Sequence, residues 1–226
     1  MEGLQAAVIA QQADIGLAFD GDADRCLAVD EKGQMVDGDQ IMVILANELL
    51  QRDALKQATL ATTVMSNIGL HQAIKNAGGQ VMVTSVGDRY VLEAMQKNGL
   101  SLGGEQSGHI IFGEYSTTGD GLMTALQLLA ALKRSGKPLS LLGGLMTRFP
   151  QVLVNVRVRS KAGWETNASI AAAIRDAEQQ LGDMGRILVR ASGTEPLIRV
   201  MAEGPVLSEL EQLAEQVAQA IRDELN

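Results

Sequence analysis

Ile15-Gly16-Leu17-Ala18-Phe19-Asp20-Gly21-Asp22-Ala23-Asp24-Arg25 runs from an apolar stretch into three carboxylates at alternate positions, followed at once by an arginine. The apolar part reads as a buried strand. The acids therefore fall where a strand ends and a loop begins, the place where binding sites gather in open α/β sheets. Carboxylates this close repel one another unless a cation sits among them, and hard oxygen ligands favour Mg²⁺ or Ca²⁺. An acidic surface turn with no ligand is the alternative reading. An EF-hand loop is excluded. Counted from Asp20, its sixth position holds Arg25 instead of glycine, and Leu27, Ala28 and Val29 fill the middle.

Outward from this stretch, Gly3–Ala13 suits a short helix and Cys26–Val29 a second strand, with a turn at Asp30-Glu31-Lys32-Gly33. Residues 1–37 are too few to close a core of their own, and read as the end of an α/β domain carrying the acidic loop. Residues 38–148 alternate strands and helices, the signature of a βαβ sheet. The spacing predicts a helix over Gln40–Gln51 capped by Asp39, a strand over Ala58–Val64 and a helix from Asn67 to Asn76. A strand over Gln80–Thr84 follows, then a helix over Gly87–Lys97 with Tyr90, Val91, Ala94 and Met95 inward. A long helix over Gly119–Arg134 has Leu122, Leu126 and Leu129 as its expected inner stripe. Residues 149–226 change pattern. Val152, Val154, Val156 and Val158 alternate as in a half-buried strand, and Leu210, Leu213, Val217 and Ile221 mark a last helix. This reads as a small α+β domain.

The chain has 226 residues, 46% of them hydrophobic, with a net charge of −8, so it can build real cores. The acidic balance argues against a general nucleic-acid binder. The one cysteine, Cys26, rules out a disulfide framework. No signal-peptide pattern and no 18-residue apolar run is seen, so a cytoplasmic location without membrane association is expected.

Two more loops carry chemistry. Gly103-Gly104-Glu105-Gln106-Ser107-Gly108-His109 gathers an acid, an amide, a hydroxyl and an imidazole between glycines. Such groups suit sugar hydroxyls, and the glycines allow close backbone approach; an ordinary polar turn is the alternative. Arg190-Ala191-Ser192-Gly193-Thr194-Glu195-Pro196 lies between two predicted strands. Its backbone N–H groups, hydroxyls and arginine can wrap a phosphate, with Arg199 as a helper; a plain hairpin turn is the alternative. Val86-Gly87-Asp88-Arg89-Tyr90 and Thr117-Thr118-Gly119-Asp120-Gly121 read as helix starts, where Asp88 serves the helix dipole and Thr118 or Asp120 the cap.

In this order and wording, D-G-D-A-D-R at 20–25, G-E-Q-S-G-H at 104–109 and R-A-S-G-T-E-P at 190–196 resemble the α-D-phosphohexomutases, a four-domain family. V-D-G-D-Q-I at 36–41, V-G-D-R-Y-V at 86–91 and T-T-G-D-G at 117–121 are similar to the bacterial branch that interconverts glucosamine 6-phosphate and glucosamine 1-phosphate. The resemblance implies Mg²⁺ at Asp20, Asp22 and Asp24, sugar contacts from Glu105 and Ser107, and His109 beside the reacting centre. It also implies a phosphate grip from Arg190, Ser192, Gly193 and Thr194. The family's phosphoserine lies in a motif like T-A-S-H-N-P, which these 226 residues lack. The expectation is a C-terminal half that is inactive alone and has the N-terminal half and a phosphosugar as partners. Homo-oligomers belong to the full-length enzyme. Phosphomannomutase or phosphoglucomutase activity, or a non-catalytic sugar-phosphate-binding protein, are the alternatives.

Overall fold

The computed structural model describes residues 1–193 and 195–225. They form two compact units, Met1–Arg148 and the residues from Phe149 onward. Among the described residues no helix is long and apolar enough to cross a membrane.

The first unit opens with helix α1 (Glu2–Gln11) and an antiparallel meander of β1 (Ile15–Phe19), β2 (Cys26–Asp30) and β3 (Met35–Val36), in the order β1-β2-β3. Gly16 lets α1 close on β1, since a Cβ there would stand 2.6 Å from Val8. Helix α2 (Gly38–Gln51) follows. Its cap is Asp37, not the expected Asp39: the Asp37 carboxylate accepts the Gln40 N–H, and the Gln40 side chain reaches back to the Asp37 N–H. This capping box satisfies two of the free amides at the helix start. Asp39 is instead buried and accepts the Asn67 N–H at 2.8 Å.

A four-stranded sheet comes next, built from β4 (Thr59–Thr63), β5 (Gln80–Thr84), β6 (Leu102–Gly104) and β7 (Ile110–Phe112), in the order β5-β4-β6-β7. β5 and β6 run parallel to β4, through α3 (Ile68–Asn76) and α4 (Asp88–Asn98). β7 turns back antiparallel on β6; the sequence offered no separate signal for it, because three apolar residues fit a loop as well as a strand. In α4 only Val91 and Met95 are buried, while Tyr90 is 50% exposed. Helix α5 (Gly121–Ser135) and the short α6 (Leu139–Gly143) complete the unit. The core is centred on α2, where Ile41, Ile44, Leu60, Leu70, Leu102 and Leu128 pack together, and Ala28 of the opening meander belongs to the same cluster.

One expectation reverses. Leu122, Leu126 and Leu129 of α5 point outward, at 61%, 55% and 38% exposure, and the helix buries Thr124, Ala125, Leu128 and Ala131 instead. Small residues on that side let α5 lie close against α2 and the meander, and this outweighs the greater hydrophobicity of the leucines.

The second unit is an antiparallel sheet of β8 (Gln151–Arg157), β9 (Arg186–Ala191) and β10 (Leu197–Glu203), in the order β8-β10-β9, with helices α7 (Ala168–Leu181) and α8 (Leu207–Leu225). Val156, Ile198 and Val200 meet Leu210, Leu213 and Val217 in its core, as the alternating valines and the helical stripe require.

Candidate functional site

Phe19 pairs with Cys26 at the end of the β1–β2 hairpin, so residues 20–25 form its connecting loop. Ala23 there adopts φ 60° and donates its N–H to the Asp20 carbonyl at 3.2 Å. The Arg25 N–H donates to Asp20 Oδ1 at 3.2 Å, and its Nε stands 3.6 Å from Asp20 Oδ2 and 3.7 Å from Asp24 Oδ1. Asp20, Asp22 and Asp24 each offer a carboxylate oxygen within 4.8 Å of the others. Burial pushes the Asp24 carboxyl up, and the neighbouring Asp20 and Asp22 carboxylates add to this. Asp20 feels burial in the same direction, but hydrogen bonds from Arg25 and Asp24 outweigh it and hold this carboxyl low. Asp24 Oδ1 is buried and accepts no hydrogen bond. A convergent set of hard oxygens with an unsatisfied buried member fits a small divalent cation.

The sugar-loop candidate is held against this hairpin by backbone contacts. The Cys26 N–H donates to the Gly108 carbonyl at 3.1 Å, and Arg25 and His109 form an isolated antiparallel bridge. Gly108 has φ +93°, and a Cβ on it would run into the Cys26 carbonyl. Within the loop the Glu105 N–H donates to the His109 carbonyl and the Gly108 N–H to the Glu105 carbonyl, both at 3.0 Å, leaving Ser107 exposed at the tip. Glu105 Oε1 accepts the Gly87 N–H at 3.1 Å, which ties this loop to the start of α4.

His109 is 4% exposed, with Nε2 3.5 Å from Asp24 Oδ2. Its ring rests on Gly119, where an added Cβ would stand 2.5 Å from the imidazole. Gly121 donates its N–H to the Ala23 carbonyl at 2.9 Å, and Asp120 caps α5 by accepting the Met123 N–H. The T-T-G-D-G segment therefore does more than start a helix. It supplies the floor beneath His109 and a clamp on the acidic loop. Alternating acids and clustered glycines announce the first two loops in the sequence, whereas Gly119 meets His109 only through the fold.

In the second unit, Arg190 and Arg199 are direct cross-strand partners on β9 and β10. Burial and the Arg199 charge together push the Arg190 guanidinium down. Arg199 donates to Glu195 Oε2 at 3.2 Å, and its buried Nε has no hydrogen-bond partner. Ser192 is buried; its N–H donates to the Leu197 carbonyl and its Oγ accepts the Glu195 N–H. Lys161, which sequence reasoning missed, donates from Nζ to the Ser192 carbonyl at 2.6 Å and to the Glu195 carbonyl at 3.2 Å. Nothing in its sequence surroundings marks it, because the loop it braces begins 31 residues later. Gly193 opens to free space. Thr194 lies outside the described residues. Two like charges held side by side next to a short polar turn can attract an anion.

Residues 37–149 match the model of the phosphoglucomutase/phosphomannomutase alpha/beta/alpha domain III, and residues 153–220 match that of the phosphoglucomutase/phosphomannomutase C-terminal domain. The chain is 58% identical over 224 residues to phosphoglucosamine mutase of Symbiobacterium thermophilum, covering 99% of this chain and 50% of the relative. It is 53% identical to phosphoglucosamine mutase of Syntrophotalea carbinolica, covering 99% and 49%. It thus spans about half the length of the curated relatives it matches. Aspergillus fumigatus N-acetylphosphoglucosamine mutase, solved in complex with GlcNAc-6P and magnesium, superposes with a TM-score of 0.79 at 26% identity, covering 93% of this chain and 49% of that one. A phosphoglucomutase/phosphomannomutase family protein from Burkholderia thailandensis gives 0.79 at 26% identity, covering 97% and 49%. With two of the family's domain models matched in order over residues 37–149 and 153–220, this chain belongs to the phosphoglucomutase/phosphomannomutase family of α-D-phosphohexomutases.

Proposed function

We propose that this chain is the C-terminal half of a cytoplasmic phosphoglucosamine mutase, which interconverts glucosamine 6-phosphate and glucosamine 1-phosphate on the route to amino-sugar cell-wall precursors. Residues 1–37 close the second domain, 38–148 form the third and 149–226 the fourth. The observation that carries the reading is the interlock of the acidic loop, the sugar loop and the start of α5 around His109. Asp20, Asp22 and Asp24 are the residues to hold Mg²⁺, which when bound neutralises charge on a transferring phosphoryl group. Glu105 and Ser107 accept and share protons with sugar hydroxyls, and the carboxylate makes the stronger bond. His109, sheltered from water on Gly119, is the group to move a proton at the reacting hydroxyl. Arg190, Ser192, Gly193 and Thr194 hold the phosphate that does not react, with Arg199 keeping the positive charge concentrated beside it.

The phosphoryl donor is a phosphoserine of the other half of the enzyme. Its phosphoryl group passes to a sugar oxygen as that hydroxyl gives up its proton. The resulting bisphosphate turns over and returns its other phosphate to the serine. Such transfer depends on donor and acceptor being held in line, so the chain alone binds substrate without turning it over. Amide NMR during titration with glucosamine 6-phosphate tests the binding half. Shifts at 190–193 and 104–109 at millimolar ligand, lost at 190–193 in Arg190→Met, are expected. An unchanged spectrum, or turnover by the pure chain, overturns the reading.

A further inference from the structure

The polar turn between β9 and β10 uses its backbone donors unevenly. The Ser192 N–H donates to the Leu197 carbonyl and the Leu197 N–H to the Glu195 carbonyl, both at 2.9 Å. The Glu195 N–H donates to Ser192 Oγ at 3.2 Å. Pro196 has no N–H to give. Among the described residues of the turn, the Gly193 N–H alone finds no acceptor, and the space beside Gly193 is open. Its direction is set from the opposite side. Val158, just past the end of β8, donates its N–H to the Pro196 carbonyl at 3.1 Å, which pins the following chain against the turn. Lys161 then reaches in, with Nζ 2.6 Å from the Ser192 carbonyl and 3.2 Å from the Glu195 carbonyl. The Ser192 carbonyl and the Gly193 N–H belong to one planar trans peptide, in which the two groups point opposite ways. Drawing the carbonyl toward Lys161 therefore turns the N–H away from it. The one acid of the turn, Glu195, pairs with Arg199, so the Lys161 charge acts on the carbonyls. A cation behind a carbonyl polarises the peptide and strengthens the donor at its far end. The Ser192 hydroxyl, which accepts from Glu195, keeps its own proton to donate.

We propose that Lys161 is a positioning residue of the phosphate grip in the second unit. It touches no phosphate itself. It aims and polarises the Gly193 N–H, and so presets the turn for the phosphate group of a phosphomonoester. This deepens the proposed function above and rests on it. A turn without the lysine has to order its own peptides when the anion arrives, at a cost in affinity. An ammonium serves both carbonyls from one atom and brings a full charge, whereas a neutral amide brings donors without the charge.

The test follows the Gly193 amide by NMR in the full chain, titrated with inorganic phosphate and separately with glucosamine 6-phosphate. Lys161→Met keeps the apolar stem and removes the donors and the charge. Without ligand its Gly193 nitrogen should move upfield, because the adjoining carbonyl has lost its hydrogen bond, while the urea midpoint read at β10 amides holds. Both ligands should bind about tenfold more weakly, the worth of one charge-assisted hydrogen bond. Lys161→Arg should restore most of the affinity and Lys161→Gln little of it. Wild-type affinity in Lys161→Met overturns the proposal, and so does an unmoved Gly193 nitrogen. A loss of affinity that comes with a lower urea midpoint and is not recovered by Lys161→Arg also overturns it, because the lysine is then only a structural brace. The mutase reading is scored by the ligands. If the wild type binds inorganic phosphate but not glucosamine 6-phosphate, that reading falls, and the lysine is judged on phosphate alone. If the wild type binds both and Lys161→Met loses neither, the lysine inference falls and the mutase reading stands. If the wild type binds neither, both fall.

Discussion

The glycines where loops meet in the first unit and the glycine at the tip of the second unit's polar turn do opposite things. In the first, a Cβ on Gly38 would strike the Glu105 carbonyl, one on Gly104 the His109 carbonyl at 2.6 Å, and one on Gly121 the Arg25 carbonyl at 2.5 Å. The acidic loop, the sugar loop and the two helix starts are locked backbone to backbone. In the second unit, Gly193 meets nothing within 4 Å. The turn is braced by side chains instead: Lys161 on its carbonyls, and Arg199 on Glu195. A backbone-built site fixes its acids and imidazole tightly and tolerates almost no added atom at the glycines where its loops meet. A side-chain-built site can lose one contact at a time. The difference suits the proposed roles, since a metal and a reacting hydroxyl need fixed geometry while a phosphate needs mainly charge and N–H groups.

The hardest way to break this contrast is to add a methyl group to each kind of loop. Gly108→Ala combines a positive φ with a collision against Cys26. Strain of roughly 1–2 kcal/mol and overpacking of about 1–3 kcal/mol should together lower the stability of the first unit by about 3 kcal/mol and abolish the calorimetric heat of Mg²⁺ binding. Gly193→Ala should leave urea unfolding unchanged within about 0.5 kcal/mol. Equal losses in the two variants would erase the distinction between the units.

What the sequence revealed and what it hid follow the same division. The alternating acids, the glycine-flanked E-Q-S-G-H, the helix cap at Asn67 and the alternating valines of β8 are local signals, legible because a few neighbouring residues determine them. Asp39 resembles a cap because it stands two residues from the true one, Asp37; both acids are buried, and only their hydrogen bonds, to the Gln40 N–H and the Asn67 N–H, show which one faces the helix amides. The α5 stripe was assigned to the wrong side because both faces of the helix repeat with the helical period. Hydrophobicity favoured the leucines, whereas the closeness of α2 and β2 selected Ala125 and Ala131. Gly119 under His109 and Lys161 on Ser192 stayed hidden because nothing near them in sequence requires the contact.

A smaller effect sharpens the comparison within the second unit. Arg190 and Arg199 repel across the sheet, and Arg190 is also partly desolvated. Arg190→Leu removes both penalties, so protection of β9 and β10 amides against exchange should rise, by about 1 kcal/mol, as phosphosugar shifts disappear. Stability gained with binding lost would mark the pair as kept for function. Stability lost would mean that Arg190 holds the sheet together, contrary to the side-chain-built site described here.

The smallest expected effect concerns a side-chain clasp inside the backbone-built unit. Glu31, in the turn after β2, accepts hydrogen bonds from the Ser140 hydroxyl and, at 3.2 Å, from the Ser140 N–H. Partial burial works to raise the Glu31 carboxyl, but the bonds to Ser140 and to its own backbone outweigh it and hold the group below its ordinary 4.5. A carboxyl whose folded value is depressed stabilises the fold above its unfolded value and loses that contribution as pH falls through the folded one. The clasp is therefore intact at pH 7 and weakens below about pH 4.5. Ser140→Ala should cost about 0.5–1.5 kcal/mol at pH 7 and less at pH 3.5, so the urea midpoints of wild type and variant should converge on acidification. If the first unit is held mainly by its interlocked loops, this loss leaves the calorimetric Mg²⁺ response intact. A Mg²⁺ response that falls along with Ser140→Ala would mean that side chains far from the acidic loop help set its geometry, and would narrow the contrast between the two units.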